Sequence, residues 1–212
     1  MKSMLFPATL LLSGALSAAT PIDGWYSSVF GGYTYLPNHV DVYPNNATYL
    51  SNAHFDKGYN VGARFGYQSY PLRYEAELTY LHANLKQFSY LTTPQTQVSG
   101  HSSGLFGMAN IYYDFPDVIP TIQPFLGLGI GYGGVEDVLK SNLPLPTYYK
   151  GSDTVFTYQA TAGLTYNFSE NYALNISYRY LATEVADNLG RAYQANLASI
   201  GVIYRFNEAY YQ

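Results

Sequence analysis

Two groups of residues in this chain have types and spacing that could do chemistry. The first is His101-Ser102-Ser103. On a strand, residues i and i+2 share a face, so the His101 imidazole could reach the Ser103 hydroxyl. A serine nucleophile needs such a base within hydrogen-bond reach and a third group to orient the base. The sequence does not name that acid. The other histidines, His39, His54 and His82, are scattered and show no metal-ligand spacing. There is no cysteine, so no thiolate site and no disulfide. The run Leu126-Gly127-Leu128-Gly129-Ile130-Gly131-Tyr132 is rich in glycine. Its strict apolar alternation, with no helix to follow, argues against a phosphate-binding loop. Bare glycine on one side predicts a bulky partner reaching across to it.

The second group is ionic and polar. Arg64, Arg73, Glu75, Glu77, Asn110, Gln159, Arg179 and Arg205 all fall on the polar parity of alternating segments. If those segments are strands of one closed sheet, the eight side chains share an interior. Neither sign is tolerated there unpaired, so a fully paired polar network is expected. Such a network can be a stability lock or can line a small, gated solute path. The lock is the preferred reading, because a narrow barrel is just wide enough for its own side chains.

The elements that must position these groups read as eight strands. They span 24–35, 57–68, 72–80, 103–115, 122–135, 153–168, 174–180 and a last segment ending at Phe206. In the second, Tyr59, Val61, Ala63, Phe65 and Tyr67 oppose Asn60, Gly62, Arg64, Gly66 and Gln68, a period of two. Trp25 and Tyr33/Tyr35 share one parity and would mark the two aromatic levels of a lipid-facing row. Short turns at 69–71, 116–120 and 169–171 alternate with long connections at 36–56, 82–98, 136–151 and 183–191. Short turns on one side and long loops on the other, with an even strand number, is the outer-membrane barrel pattern. A soluble barrel of the lipocalin kind would carry its apolar face inside instead.

Composition agrees. Of 212 residues, 17% are aromatic, with 25 Tyr, and only 11% are charged, against about 25% charged in ordinary soluble domains. A formal charge of −4 argues against nucleic acid as a partner. Lys2, an apolar run from Met4 to Leu16 and Ser17-Ala18-Ala19 predict a signal peptide over 1–19, leaving 20–212 as one barrel domain. No cofactor is expected.

The closing strand, Ser199-Ile200-Gly201-Val202-Ile203-Tyr204-Arg205-Phe206, resembles the terminal signal strand of bacterial outer-membrane barrels, with Ser199, Gly201, Tyr204 and Phe206 at the signal positions. With Gly24-Trp25-Tyr26, Asn110-Ile111-Tyr112-Tyr113-Asp114, the Gly-rich Leu126 to Tyr132 and Tyr178-Arg179-Tyr180, residues 24–206 resemble the superfamily of OmpX, the OmpA membrane domain and the neisserial opacity proteins. The resemblance implies an all-β, eight-stranded antiparallel up-and-down transmembrane β-barrel in the bacterial outer membrane. It implies contact with outer-membrane lipids and lipopolysaccharide, and insertion by the barrel-assembly machinery, which reads the last strand. The implied role is an envelope scaffold or a surface-loop adhesin. Tyr43, Tyr49, Phe55, Tyr148 and Tyr149 are the expected loop contacts for a host-surface or extracellular ligand. A porin-like channel is the alternative. A lipid A-modifying enzyme is the more distant one: one deacylase group uses a His-x-Ser pair and an acid on its outer wall, a spacing that His101-Ser102-Ser103 matches. In two respects the chain departs from the family pattern: six residues follow Phe206, and no peptidoglycan-binding domain follows the barrel.

Overall fold

From Gly58 to Ser69 and from Leu72 to Thr79, side chains turn in and out in strict alternation. That pattern forces a sheet with two chemically different faces. The structure is a computed structural model that describes residues 23–37, 50–90, 93–94, 96–115, 121–143, 146–186 and 191–206. The expected signal peptide, His39, Tyr43, Tyr49, the turn at 116–120 and the residues after Phe206 lie outside the described residues.

The strands are β1 (Gly24–Tyr35), β2 (Leu50–Phe55), β3 (Gly58–Ser69), β4 (Leu72–Tyr90), β5 (Thr93–Pro94), β6 (Thr96–Asp114), β7 (Ile122–Leu143), β8 (Thr147–Asn167), β9 (Tyr172–Ala186) and β10 (Arg191–Arg205). Eight of them close a ring in the order β4-β3-β1-β10-β9-β8-β7-β6 and back to β4. All pairs are antiparallel. The last strand closes on the first from Tyr26↔Arg205 to Tyr35↔Asn196. β6 closes on β4 from Leu72↔Tyr113 to Asn84↔His101. Each strand of the closed ring pairs with a neighbour on both sides through the belt, which is the condition for crossing hydrocarbon.

The outer wall is apolar. Trp25, Tyr67, Tyr74, Tyr113, Phe168, Tyr172 and Phe206 are exposed near the end that holds the short turns. Tyr33, Tyr59, Tyr132, Tyr158 and Tyr180 are exposed toward the other end, with Val29, Phe65, Leu78, Leu128, Ile176 and Ile200 between. Trp25 and Tyr33 are separated by about 27 Å of strand, or about 20 Å along an axis to which strands tilt by roughly 40°. That is close to the apolar belt of roughly 25 Å in such barrels.

Two of the expected loops are largely strand. β4 continues to Tyr90 and β6 starts at Thr96, so most of 82–98 is sheet; β7 runs to Leu143 and β8 starts at Thr147, so most of 136–151 is sheet. The connection 36–56 contains β2, which pairs with the top of β4 from Leu50↔Tyr90 to Phe55↔Leu85. Within 183–191, only 187–190 falls between β9 and β10. The physical reason is an inversion of phase. On β4 the inward row reads Arg73, Glu75, Glu77, Thr79 and then Leu81, Ala83, Leu85, while the outward row passes from Tyr74, Ala76 and Leu78 to His82, Asn84 and Lys86. Above the belt the outside is water, so apolar residues turn inward. The sheet is unbroken, but the pattern that marks a lipid-facing strand ends.

Candidate functional site

The lower lumen is a single ionic network. Glu77 on β4 is its centre: Arg179 Nη1 on β9 donates to Oε1, and Arg64 Nε on β3 donates to Oε2 at 2.7 Å. Thr79 Oγ1 adds a third donor at 2.7 Å. Arg179 is fully buried. It also reaches Asn60 Oδ1 and Ser199 Oγ, at 3.4 and 3.3 Å. The guanidinium groups of Arg64 and Arg179 both lie over the Phe30 ring, at 4.1 and 4.5 Å from its centroid. A planar guanidinium can stack and pair at once, which an ammonium cannot. The four lysines that the structure describes, Lys57, Lys86, Lys140 and Lys150, are all exposed instead.

A second tier lies nearer the short turns. Arg73 Nε sits 2.8 Å from Asp114 Oδ2 and its Nη1 3.2 Å from Glu75 Oε1. The Tyr26 hydroxyl donates to Glu75. Arg205 on the closing strand donates to Gln68 Oε1 at 3.4 Å and to Asn167 Oδ1 at 2.8 Å. Gln159 donates to Asn110 Oδ1 at 2.7 Å, and Asn110 to Glu77 at 3.4 Å. All eight residues singled out for an interior network are therefore buried and connected. Asp114, Tyr26, Asn60, Gln68, Thr79 and Asn167 belong to the same network and were missed as members. Their signal was strand parity, which carries the same information for neutral side chains as for charged ones. The space between Tyr26, Gln68, Arg73, Asp114 and Arg205 does not admit a water molecule.

The upper lumen is largely apolar, although Ser102, Asp137 and Ser141 are also buried there. Leu36, Phe55, Leu81, Phe106, Leu139, Val155, Leu181 and Leu197 belong to one buried cluster. Phe55, expected as a loop contact, is thus a core residue: β2 folds against β4 and turns the ring inward. Tyr148 is 64% exposed on β8, as a contact residue needs to be. For Tyr149 the backbone position on β8, opposite Leu139, is described. The glycine row of β7 does face bulky side chains, but they come from the neighbouring strands, β6 and, at Gly129, also β8, and not from across the lumen. A Cβ at Gly127 would lie 2.1 Å from the Tyr112 ring and one at Gly133 2.1 Å from the Phe106 ring.

His101 and Ser103 both point outward, above the belt. The structure supplies an acid beside them: Glu136 on β7 pairs in register with Ser103, and its Oε1 lies 3.8 Å from His101 Nε2. Glu136 is nearer to Lys150, at 2.9 Å, and that hydrogen bond holds its carboxyl below the usual range. The Ser103 hydroxyl is hydrogen-bonded to Tyr80, and the His101 ring stacks on His82 at 5.2 Å. Among the described residues no hydrogen bond joins His101 to Ser103, the contact that nucleophilic activation requires. Ser102 faces the lumen and contacts the Tyr193 hydroxyl at 3.2 Å. No group of three metal-ligating side chains forms among the described residues.

A closed barrel with an apolar, aromatic-edged belt and an ionic interior defines an outer-membrane barrel protein. The chain belongs to the outer membrane protein β-barrel domain family, whose model matches residues 5–206. A 93-residue stretch is 37% identical to uncharacterized proteins of Brucella abortus and Brucella suis, covering 41% of this chain. That stretch spans 31% of the length of those relatives. In fold, the chain is similar to Neisserial surface protein A (TM-score 0.57, 16% identity, 86% of this chain and 97% of that one). It is also similar to the outer membrane protein OprG from Pseudomonas aeruginosa (0.55, 14%, 88% and 99%). A third likeness is to the outer membrane protease OmpT from Escherichia coli (0.55, 8%, 90% and 100%). The protein is an integral β-barrel of the bacterial outer membrane.

Proposed function

We propose that the protein is a surface-contact protein and envelope scaffold, acting through the part of the barrel that stands above the membrane. The observation that carries this reading is a lumen packed with side chains beneath a tall wall. Crossing hydrocarbon takes about 9–11 residues per strand, yet β7 and β8 have 22 and 21 residues. Roughly half of each is therefore free to meet the outside. Below it, charged pairs fill the lower lumen and aliphatic and aromatic side chains fill the upper. The polar network serves as a lock, and Tyr148 and the outward polar residues of the tall wall serve as the contact surface. The lipid-facing rows and aromatic levels fit an environment of outer-membrane lipids and lipopolysaccharide, and the terminal strand that pairs with β1 fits recognition by the barrel-assembly machinery.

The test is adhesion of cells displaying the full chain to a mixed extracellular-matrix coating. The comparison is a variant whose β7–β8 wall is cut back to a tight turn between Gly134 and Thr154. Both should show the mobility shift on heating that marks a closed barrel, and only the full chain should adhere. Equal adhesion would overturn the reading. So would stepwise conductance of the purified protein in a planar bilayer, which would favour the channel instead.

A further inference from the structure

The outer wall has a recess at its upper aromatic level, where β9, β10 and β1 lie side by side. Ala198 on β10 pairs with Tyr33 on one side and with Tyr178 on the other. All three are exposed, so a single methyl group forms the floor between two rings. Tyr33 is 72% exposed and stands off the wall. Two residues higher, Tyr35 pairs with Asn196. The Tyr178 hydroxyl donates to Asn196 Oδ1 at 2.6 Å, which fixes that ring as one flank. Lys57 lies on the rim, directly before Gly58, which pairs with Thr34. The recess has a volume of about 610 Å³. Below Tyr33 the outward row of β1 continues with Gly31, where an added Cβ would meet only a backbone oxygen, at 3.6 Å. No β1 side chain therefore closes the recess from beneath.

Its chemistry changes with depth. Ala198 and the faces of Tyr33 and Tyr178 are apolar and sit at the edge of the belt. Asn196 and Lys57 sit above them. Of the four described lysines, Lys86 pairs with Asp56, Lys150 pairs with Glu136, and Lys140 lies over the Tyr148 ring. Among the described residues Lys57 has no ion pair and no ring contact. A lysine at this level lays its stem on apolar surface and holds its ammonium among the headgroups. The level is the one away from the short turns, and short turns are periplasmic in such barrels, so those headgroups belong to the outer leaflet. One cation among neutral hydrogen-bonding groups suits a phosphorylated sugar better than a small phosphate headgroup. The outward recess between β4 and β8, of equal volume, is edged by Glu136 and Asp153 instead, and carboxylates disfavour a phosphate.

We propose that the β9–β10–β1 recess binds one molecule of lipopolysaccharide through its phosphorylated lipid anchor, lipid A. An acyl chain passes over Ala198, between Tyr33 and Tyr178, and down past Gly31. A phosphate oxygen accepts from Lys57 Nζ, and the Asn196 amide meets a sugar hydroxyl. This goes beyond general contact with surrounding lipid, because it fixes one lipid at one place on the wall. It is independent of the tall β7–β8 wall.

The full-length barrel, folded in a neutral detergent, is titrated with lipid A, and bound lipid is counted by native mass spectrometry. One lipid A per barrel should bind. Lys57→Gln should weaken binding about fivefold, the effect of one lysine at an anionic headgroup, and Lys57→Arg should keep it. Ala198→Leu fills the floor and should weaken binding too. Ala63→Leu, at an outward alanine of β3 away from the recess, should not. Dephosphorylated lipid A should bind the parent and Lys57→Gln equally weakly. Every variant changes an outward side chain and should keep the heat-dependent mobility shift. Four results would overturn the proposal: parental binding by Lys57→Gln or by Ala198→Leu, equal weakening by Ala63→Leu, equal affinity of the parent for lipid A with and without its phosphates, or displacement of lipid A by an equal amount of phosphatidylglycerol.

Discussion

Up to the level of Thr79 and Ser199, the side chains that fill the lumen are Arg73, Glu77, Arg64, Arg179 and their partners. Above it they are Leu81, Phe106, Leu181 and Leu197. The same strands supply both sets, at the same parity. What changes is the medium outside. In the belt the outer wall meets lipid, so turning an apolar side chain inward gains nothing over leaving it outside. Cohesion there comes from charge pairing, which a low-dielectric surrounding strengthens when every partner is present. Above the belt the outer wall meets water, and burying apolar surface again drives association, at roughly 25 cal/mol per Å². One barrel is thus held by two kinds of interior, stacked end to end.

That contrast can be broken from either side. The largest effect is expected from Glu77→Ala, which leaves Arg179 and Arg64, both over Phe30, without their shared carboxylate. Removing one partner of a buried pair costs about 3–5 kcal/mol. The urea midpoint of the heat-shifted band should fall accordingly, and loss of the whole barrel rather than its top should follow. Phe106→Ala should cost about 3 kcal/mol by cavity formation, with a different signature: protease cuts appear in β4, β6 and β7 above Tyr80 while the belt stays protected. A smaller, sharper comparison is Gly133→Ala against Gly134→Ala. A Cβ at 133 meets the Phe106 ring at 2.1 Å, whereas one at 134 meets nothing within 4 Å. Displacing the ring should cost about 1–3 kcal/mol, and the neighbouring substitution should leave the midpoint unchanged. The smallest effect is expected from Lys150→Ala. Its pair with Glu136 is solvent-exposed, and such pairs add little, so the melting and urea midpoints should stay where they are.

Much of the belt was legible in the sequence because its rule is simple. Strict alternation in 59–68 and 72–80 gave strand direction, and the charged residues fell on one parity, so Arg64, Arg73, Glu75 and Glu77 could be assigned a common interior before any geometry was known. The part above the belt was not legible, for the same reason. At His82 and Glu136 the polar residues pass to the other parity, and a rule tuned to lipid reads that inversion as the start of a loop. Phe55 was misplaced with it, since an aromatic residue in a supposed loop looks exposed until β2 is seen lying on β4.

The sequence alone determined the number of barrel strands, the lipid-facing rows and the list of groups that had to be neutralised inside. These follow from period and polarity, which are local. Only the tertiary structure decided which carboxylate each arginine meets, that the lumen turns largely apolar above Thr79, and that Glu136 comes to His101. Those depend on register between strands far apart in the chain. A one-residue shift in pairing carries every side chain to the opposite face of the sheet.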